Sequence, residues 1–147
     1  MSALKANRSA QYQLAASFTY DISAGDTLAN TSGVVQTFAA TGAGPFDAIK
    51  LPKGARVVGG QLTVVTVGND SGVQTLAIGD SGSATRYLGA TSIKSAARTA
   101  LVPTGYTGTG EDIRFTLVNT NGDATTGKVV VDVLFVIDGK ANEAVPN

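Results

Sequence analysis

Residues 112–138 read DIRFTLVNTNGDATTGKVVVDVLFVID, and this stretch decides the fold class. In its first part Ile113, Phe115 and Leu117 alternate with Arg114, Thr116 and Val118, the two-residue period of a strand with one face buried. Its last part, 128–138, is a run of Val, Leu, Phe and Ile interrupted by Asp132. Apolar residues on both faces predict a strand covered twice, by a second sheet and by a partner or terminal arm. Between the two, Asn121-Gly122 is the strongest short-range hairpin signal in the chain, and it predicts that the flanking strands pair antiparallel.

Moving upstream, the same period recurs. In 11–20 Tyr12, Leu14, Ala16, Phe18 and Tyr20 alternate with smaller or polar residues, and in 56–67 (RVVGGQLTVVTV) a long strand carries Gly59-Gly60 in its middle. Paired glycines inside a strand predict a bulge or a close backbone approach. Shorter strands are expected at 34–40, anchored by Val34 or Val35 and by Phe38, and at 46–51 and 73–78. Segment 21–33, rich in Gly, Asn, Asp and Ser, reads as loop, and 85–101 reads as strand plus irregular loop. About eight short strands with turn signals between them predict an all-β, antiparallel β-sandwich of jelly-roll type. The expected organisation is an N-terminal arm at 1–10, the sandwich at 11–138 and a C-terminal tail at 139–147.

Composition bounds the function. The formal net charge is zero, with 11 basic and 11 acidic residues, so no large positive field draws in nucleic acid. The chain has no histidine and no cysteine, which removes the usual side chain titrating near neutrality, the thiolate nucleophile and the common zinc ligands. No catalytic, cofactor-binding or metal-ligating residues are assigned, and the chain is expected not to be an enzyme. The first ten residues lack the apolar run of a signal peptide, and 129–137 is far shorter than the ~20 residues of a membrane helix. Neither export by that route nor a membrane span is expected.

Several stretches imitate sites. Residues 122–128 (GDATTGK) carry the skeleton of a phosphate-binding loop, but Val129 stands where Ser or Thr would meet magnesium and a strand follows where a helix should open. Asp70-Ser71-Gly72 and 119–123 resemble calcium loops without the completing glutamate, so Asn/Asp turn chemistry is expected there. Glu111 and Asp112 would point to opposite faces of a strand and read as a solvated strand opening. Between Asp80 and Glu111 every charged residue is basic: Arg86, Lys94 and Arg98. With Lys5 and Arg8 these could form a contact surface for an acidic partner patch.

At 51–60 (LPKGARVVGG), then at Tyr87-Leu88-Gly89-Ala90-Thr91 and in the valine-rich strand at 129–133, the sequence resembles small virion proteins of tailed phages, the capsid decoration or cement proteins. The resemblance covers roughly residues 46–137 and rests on strand and turn signatures. It implies a jelly-roll protein on the outer surface of the virion that ties neighbouring major capsid subunits together, with the major capsid protein and copies of itself, as homodimer or homotrimer, for partners. Contact residues expected on this reading are Leu4, Lys5, Arg8 and Tyr12 in or beside the arm, and Arg86, Lys94 and Arg98. A tail, baseplate or fibre subunit is the alternative within the virion. A carbohydrate-binding module is the alternative outside it, with Tyr12, Tyr20, Tyr87 or Tyr106 as stacking residues.

Overall fold

The computed structural model describes residues 13–137. Ten strands follow in chain order: β1 (Leu14–Asp21), β2 (Thr27–Ala29), β3 (Val35–Thr37), β4 (Phe46–Ile49), β5 (Ala55–Thr66), β6 (Gln74–Gly79), β7 (Leu88–Ser92), β8 (Arg98–Ala100), β9 (Ile113–Asn119) and β10 (Lys128–Ile137). Two four-stranded sheets, in the orders β1-β10-β5-β8 and β4-β9-β6-β7, face each other, and β2 and β3 form a separate ribbon. Every pairing is antiparallel.

With the ribbon set aside, eight strands remain. The first pairs with the last (β1 with β10), the second with the seventh (β4 with β9), the third with the sixth (β5 with β8) and the fourth with the fifth (β6 with β7). A long hairpin rolled over two sheets gives this nesting, which is the jelly roll the sequence predicts.

The nesting also overturns one expectation. β9 and β10 do not pair; they lie in opposite sheets. The segment joining them is too long for a two-residue turn, and Gly122 alone of the Asn121-Gly122 pair has positive φ, whereas a type I′ turn needs it at both central residues. The backbone amides of both residues instead reach Asp70, which turns the segment across the end of the sandwich.

Between the sheets, inward residues alternate as the sequence period requires. β10 contributes Val129, Val131 and Val133, and β9 contributes Ile113, Phe115 and Leu117, all buried. Tyr20 stacks on Phe38 with ring centroids 4.4 Å apart, and Phe38 in turn meets Phe46 and the edge of Phe18, whose ring also stands against Phe115. Of the expected anchors of the second strand, Phe38 is buried. Val34 and Val35 are 56% and 66% exposed, because that segment forms the outlying ribbon and not a sandwich strand. Leu28, read as part of a loop, lies in the partner strand of that ribbon and packs on the core. The outer side of β10 presents Val130, Leu134 and Val136 half-buried.

Gly59-Gly60 does mark a bulge. Gly59 opposes Leu134 and Val57 opposes Phe135, leaving Val58 as the extra residue.

Candidate interaction surface

The two ends of the sandwich are closed by polar clips built from turn residues. At one end the loop before β6 meets the loop after β9. Asp70, 1% exposed, accepts from the amides of Gly72 (2.8 Å) and Asn121 (3.4 Å) on Oδ1, and from that of Gly122 (2.8 Å) on Oδ2. The Gly72 bond is an Asx turn, so the expected turn chemistry is present and extends across the two loops. Ser71 donates to Asp123 through both its amide and its hydroxyl, and Asn69 Oδ1 accepts from the amides of Thr125 and Thr126. Beneath the clip Asn119 Nδ2 donates to the carbonyls of Phe38 and Ala40.

At the other end, the β6–β7 turn holds Asp80, 3% exposed. Its Oδ1 accepts from the amides of Gly82 and Ser83, and its carboxylate is paired with the Arg86 guanidinium. Arg86 also lies 3.8 Å over the ring of Tyr106, a cation–π contact that ties this turn to the 101–112 connection. The Tyr106 hydroxyl donates to Glu111 (2.9 Å), which accepts as well from the hydroxyl and amide of Thr109. Glu111, part-exposed just before β9, is thus a solvated group tied into its own loop: the Thr109 hydroxyl first, then its own amide and the Tyr106 hydroxyl, hold its carboxyl down at about 2.

These groups set a pH profile. Asp21 and Asp123, like Glu111, are held below the ordinary carboxylate range, chiefly by hydroxyl donation from Ser23 and Ser71. A depressed folded-state pKa stabilises above the unfolded value of about 4 and loses that contribution as pH falls toward 2. Burial acts oppositely on the phenols, raising Tyr20 and pushing Tyr87 up to about 12. Their contribution is full below an unfolded value near 10 and is lost as pH rises above it, through about 12 for Tyr87 and higher still for Tyr20. With no histidine or cysteine to titrate between, thermal unfolding should give a flat Tm from about pH 5 to 9.5 that falls on both sides. A step near pH 6–7 would contradict this.

Among the described residues the predicted cations Arg86, Lys94 and Arg98 stand at different places on the sandwich. Leu4, Lys5, Arg8 and Tyr12 lie outside the described residues. Arg86 is committed to Asp80 and Tyr106 at the Gly79 end of β6. Lys94 stands at the opposite end of that strand, its Nζ donating to the Gly72 carbonyl at 2.8 Å. Arg98 is exposed at the start of β8, opposed in register to Thr63 on the outer face of the first sheet. Lys94 and Arg98 are exposed. As for stacking tyrosines, Tyr20 and Tyr87 are buried and Arg86 covers a face of Tyr106.

The sheets leave four edges, of unequal length. β8 has three residues, β4 has four with an irregular register, and β7 has five and contains Gly89. β1 runs for eight residues in continuous register with β10 on one side and, among the described residues, pairs with no strand on the other.

No protein-family model matches the sequence, and no curated protein matches it. Solved structures do match, over nearly the whole chain. A chain of the capsid asymmetric unit of cyanophage Pam1 superposes with TM-score 0.61 at 21% identity, covering 93% of this chain and 92% of that one. The sandwich shares its fold with chains of phage capsids. A chain from the acid-stable capsid of Helicobacter pylori bacteriophage KHP30 gives TM-score 0.52 at 17% identity over 84% of this chain and 90% of its own. One from the capsid of Ralstonia phage GP4 gives 0.52 at 16% over 95% and 92%.

Sequence reading missed the two clips and the open edge. Asp70 and Asp80 each precede a small-residue turn, which signals an Asx turn, but nothing local reveals that Asp70 serves amides some 50 positions away. The open edge depends on which strands are neighbours, a property of topology alone.

Proposed function

We propose that the chain is a structural virion protein that binds the outer surface of a phage capsid and stabilises contacts between major capsid subunits, in association with copies of itself. The observation that carries this reading is the near end-to-end match in fold to chains of about this chain's own size in three phage capsid structures. A part of that kind works through interface area, and a sandwich clipped at both ends loses little conformational entropy when it docks. Exposed Lys94 and Arg98 offer charge to an acidic lattice patch, and the N-terminal segment with Leu4, Lys5, Arg8 and Tyr12 supplies a further contact.

The test is to add purified protein to heads of the phage that encodes it, stripped of the protein, and to image them by cryo-electron microscopy. Ordered density on the outer face of the shell, bridging subunits, is the expected result. Bare heads together with density on tails or fibres would move the chain to another part of the virion, and bare particles throughout would overturn the virion reading.

A further inference from the structure

The open edge of β1 has an orientation that can be read from its ends. In an antiparallel strand the N–H and C=O of one residue point to the same side, and successive residues alternate. Asp21 gives its amide to Asp26 Oδ2 (2.8 Å) and its carbonyl accepts from the Asp26 amide (3.2 Å), both away from β10. The next residue, Ile22, donates to the Gly127 carbonyl beside β10. Counting back by twos, Thr19, Ser17 and Ala15 aim their N–H and C=O outward, and all three residues are exposed. Among the described residues nothing pairs with those groups.

Natural edge strands are blunted by lysine, proline, bulges or brevity. β1, LAASFTYD, has none of these: its one charge is Asp21 at the end, and its eight-residue register is uninterrupted. We propose that this edge is an interface at which β1 pairs antiparallel with β1 of a second copy about a two-fold axis at Ser17, joining two four-stranded sheets into one.

The sequence fits itself in that register. Ser17 opposes Ser17 of the second copy and Ala15 opposes Thr19, giving three outward-facing pairs that each exchange two backbone hydrogen bonds. On the core side Ala16 opposes Phe18, so a small residue meets a large one twice, and the half-buried rim of Phe18 gains cover. The ladder ends at Thr19, because the outward N–H and C=O of Asp21 are already taken by Asp26, and no charged residue lies within the paired stretch. A foreign strand would need to match this spacing, whereas a second copy does so by symmetry.

A strand pair buries less than the ~1,600 Å² of a standard interface, so the dimer should depend on concentration. Sedimentation velocity on the full chain should show a monomer–dimer equilibrium. Ser17→Pro replaces an N–H that faces away from β10, so it should abolish the dimer with the circular dichroism spectrum unchanged. Because the chain has no cysteine, single-cysteine variants report the register. Ser17→Cys should oxidise to a disulfide dimer, since opposed residues stand ~5.5 Å apart at Cα. Thr19→Cys should not, its counterpart lying four residues along. A monomer at all concentrations, a trimer, a dimer that survives Ser17→Pro, or cross-linking at position 19 in place of 17 would each overturn the proposal. The inference names a surface for the self-association proposed above but rests on β1: a monomer that still decorates capsids would refute it and leave the capsid reading standing.

Discussion

Gly60→Ala is expected to destabilise the chain by about 3–5 kcal/mol, enough to leave much of it unfolded at room temperature if its stability is that of an ordinary domain. Gly60 has φ of +137°, which side-chain-bearing residues rarely adopt. A Cβ built there would run into the carbonyl oxygen of Asp132 on the neighbouring strand and approach Val133 Cα to 3.1 Å and Leu101 Cδ1 to 2.9 Å. Two of those three atoms are backbone, so relief requires β5 to separate from β10 at the centre of the sheet. Gly60 also accepts the Leu101 amide at 3.0 Å, so the same shift would loosen the chain just beyond β8. Gly59→Ala is the control. Its Cβ would meet Leu134 Cδ1 at an ordinary 3.6 Å, and a change below about 1 kcal/mol is expected. Urea unfolding of both variants decides the matter, and equal midpoints would refute the close approach at Gly60.

Asp70→Ala should cost about 3 kcal/mol or more. The carboxylate is almost fully buried and is the acceptor for three amides from two loops. Hydrogen bonds to a charged acceptor contribute ~1.5–3 kcal/mol each, and the abandoned amides regain water only if the loops part. Asp70→Asn keeps the shape but turns an acceptor into a donor facing other donors, so it should fall between alanine and the native residue. Amide hydrogen exchange gives the sharper reading: Gly72 and Gly122 should lose protection in both variants while Val131, in the core of β10, keeps it when measured well below the melting point. Unchanged exchange at Gly122 would mean that Asp70 does not hold the β9–β10 loop.

Elements with a regular period were legible in the sequence. The alternation in β1, β5, β9 and β10 reflects burial of one face against a second sheet, and the spacing of Gly, Asn and Asp reflects turns, so the two-layer architecture and the bulge at Gly59-Gly60 could be read directly. The pairing of β9 with β10 could not. Asn121-Gly122 has the local chemistry of a hairpin, but its amides are taken by Asp70, a residue distant in sequence, and the pairing partners are β4, β6, β1 and β5. Val34 and Val35 failed as anchors for a related reason: a strand's period says that one face can be buried, not which element is there to bury it. Of the candidate contacts, Arg86 illustrates the same limit, because Asp80 and Tyr106 claim it in the fold.

The pairing of the first and last strands has a practical consequence. Leu14 stands opposite Phe135, so the chain enters and leaves the first sheet side by side at one end of the sandwich. Peptides or reporter domains fused before residue 13 or after residue 137 would issue from the same place, a few ångströms apart. One sandwich could then carry two different cargoes side by side, one joined ahead of β1 and one after β10, without either interrupting a sheet.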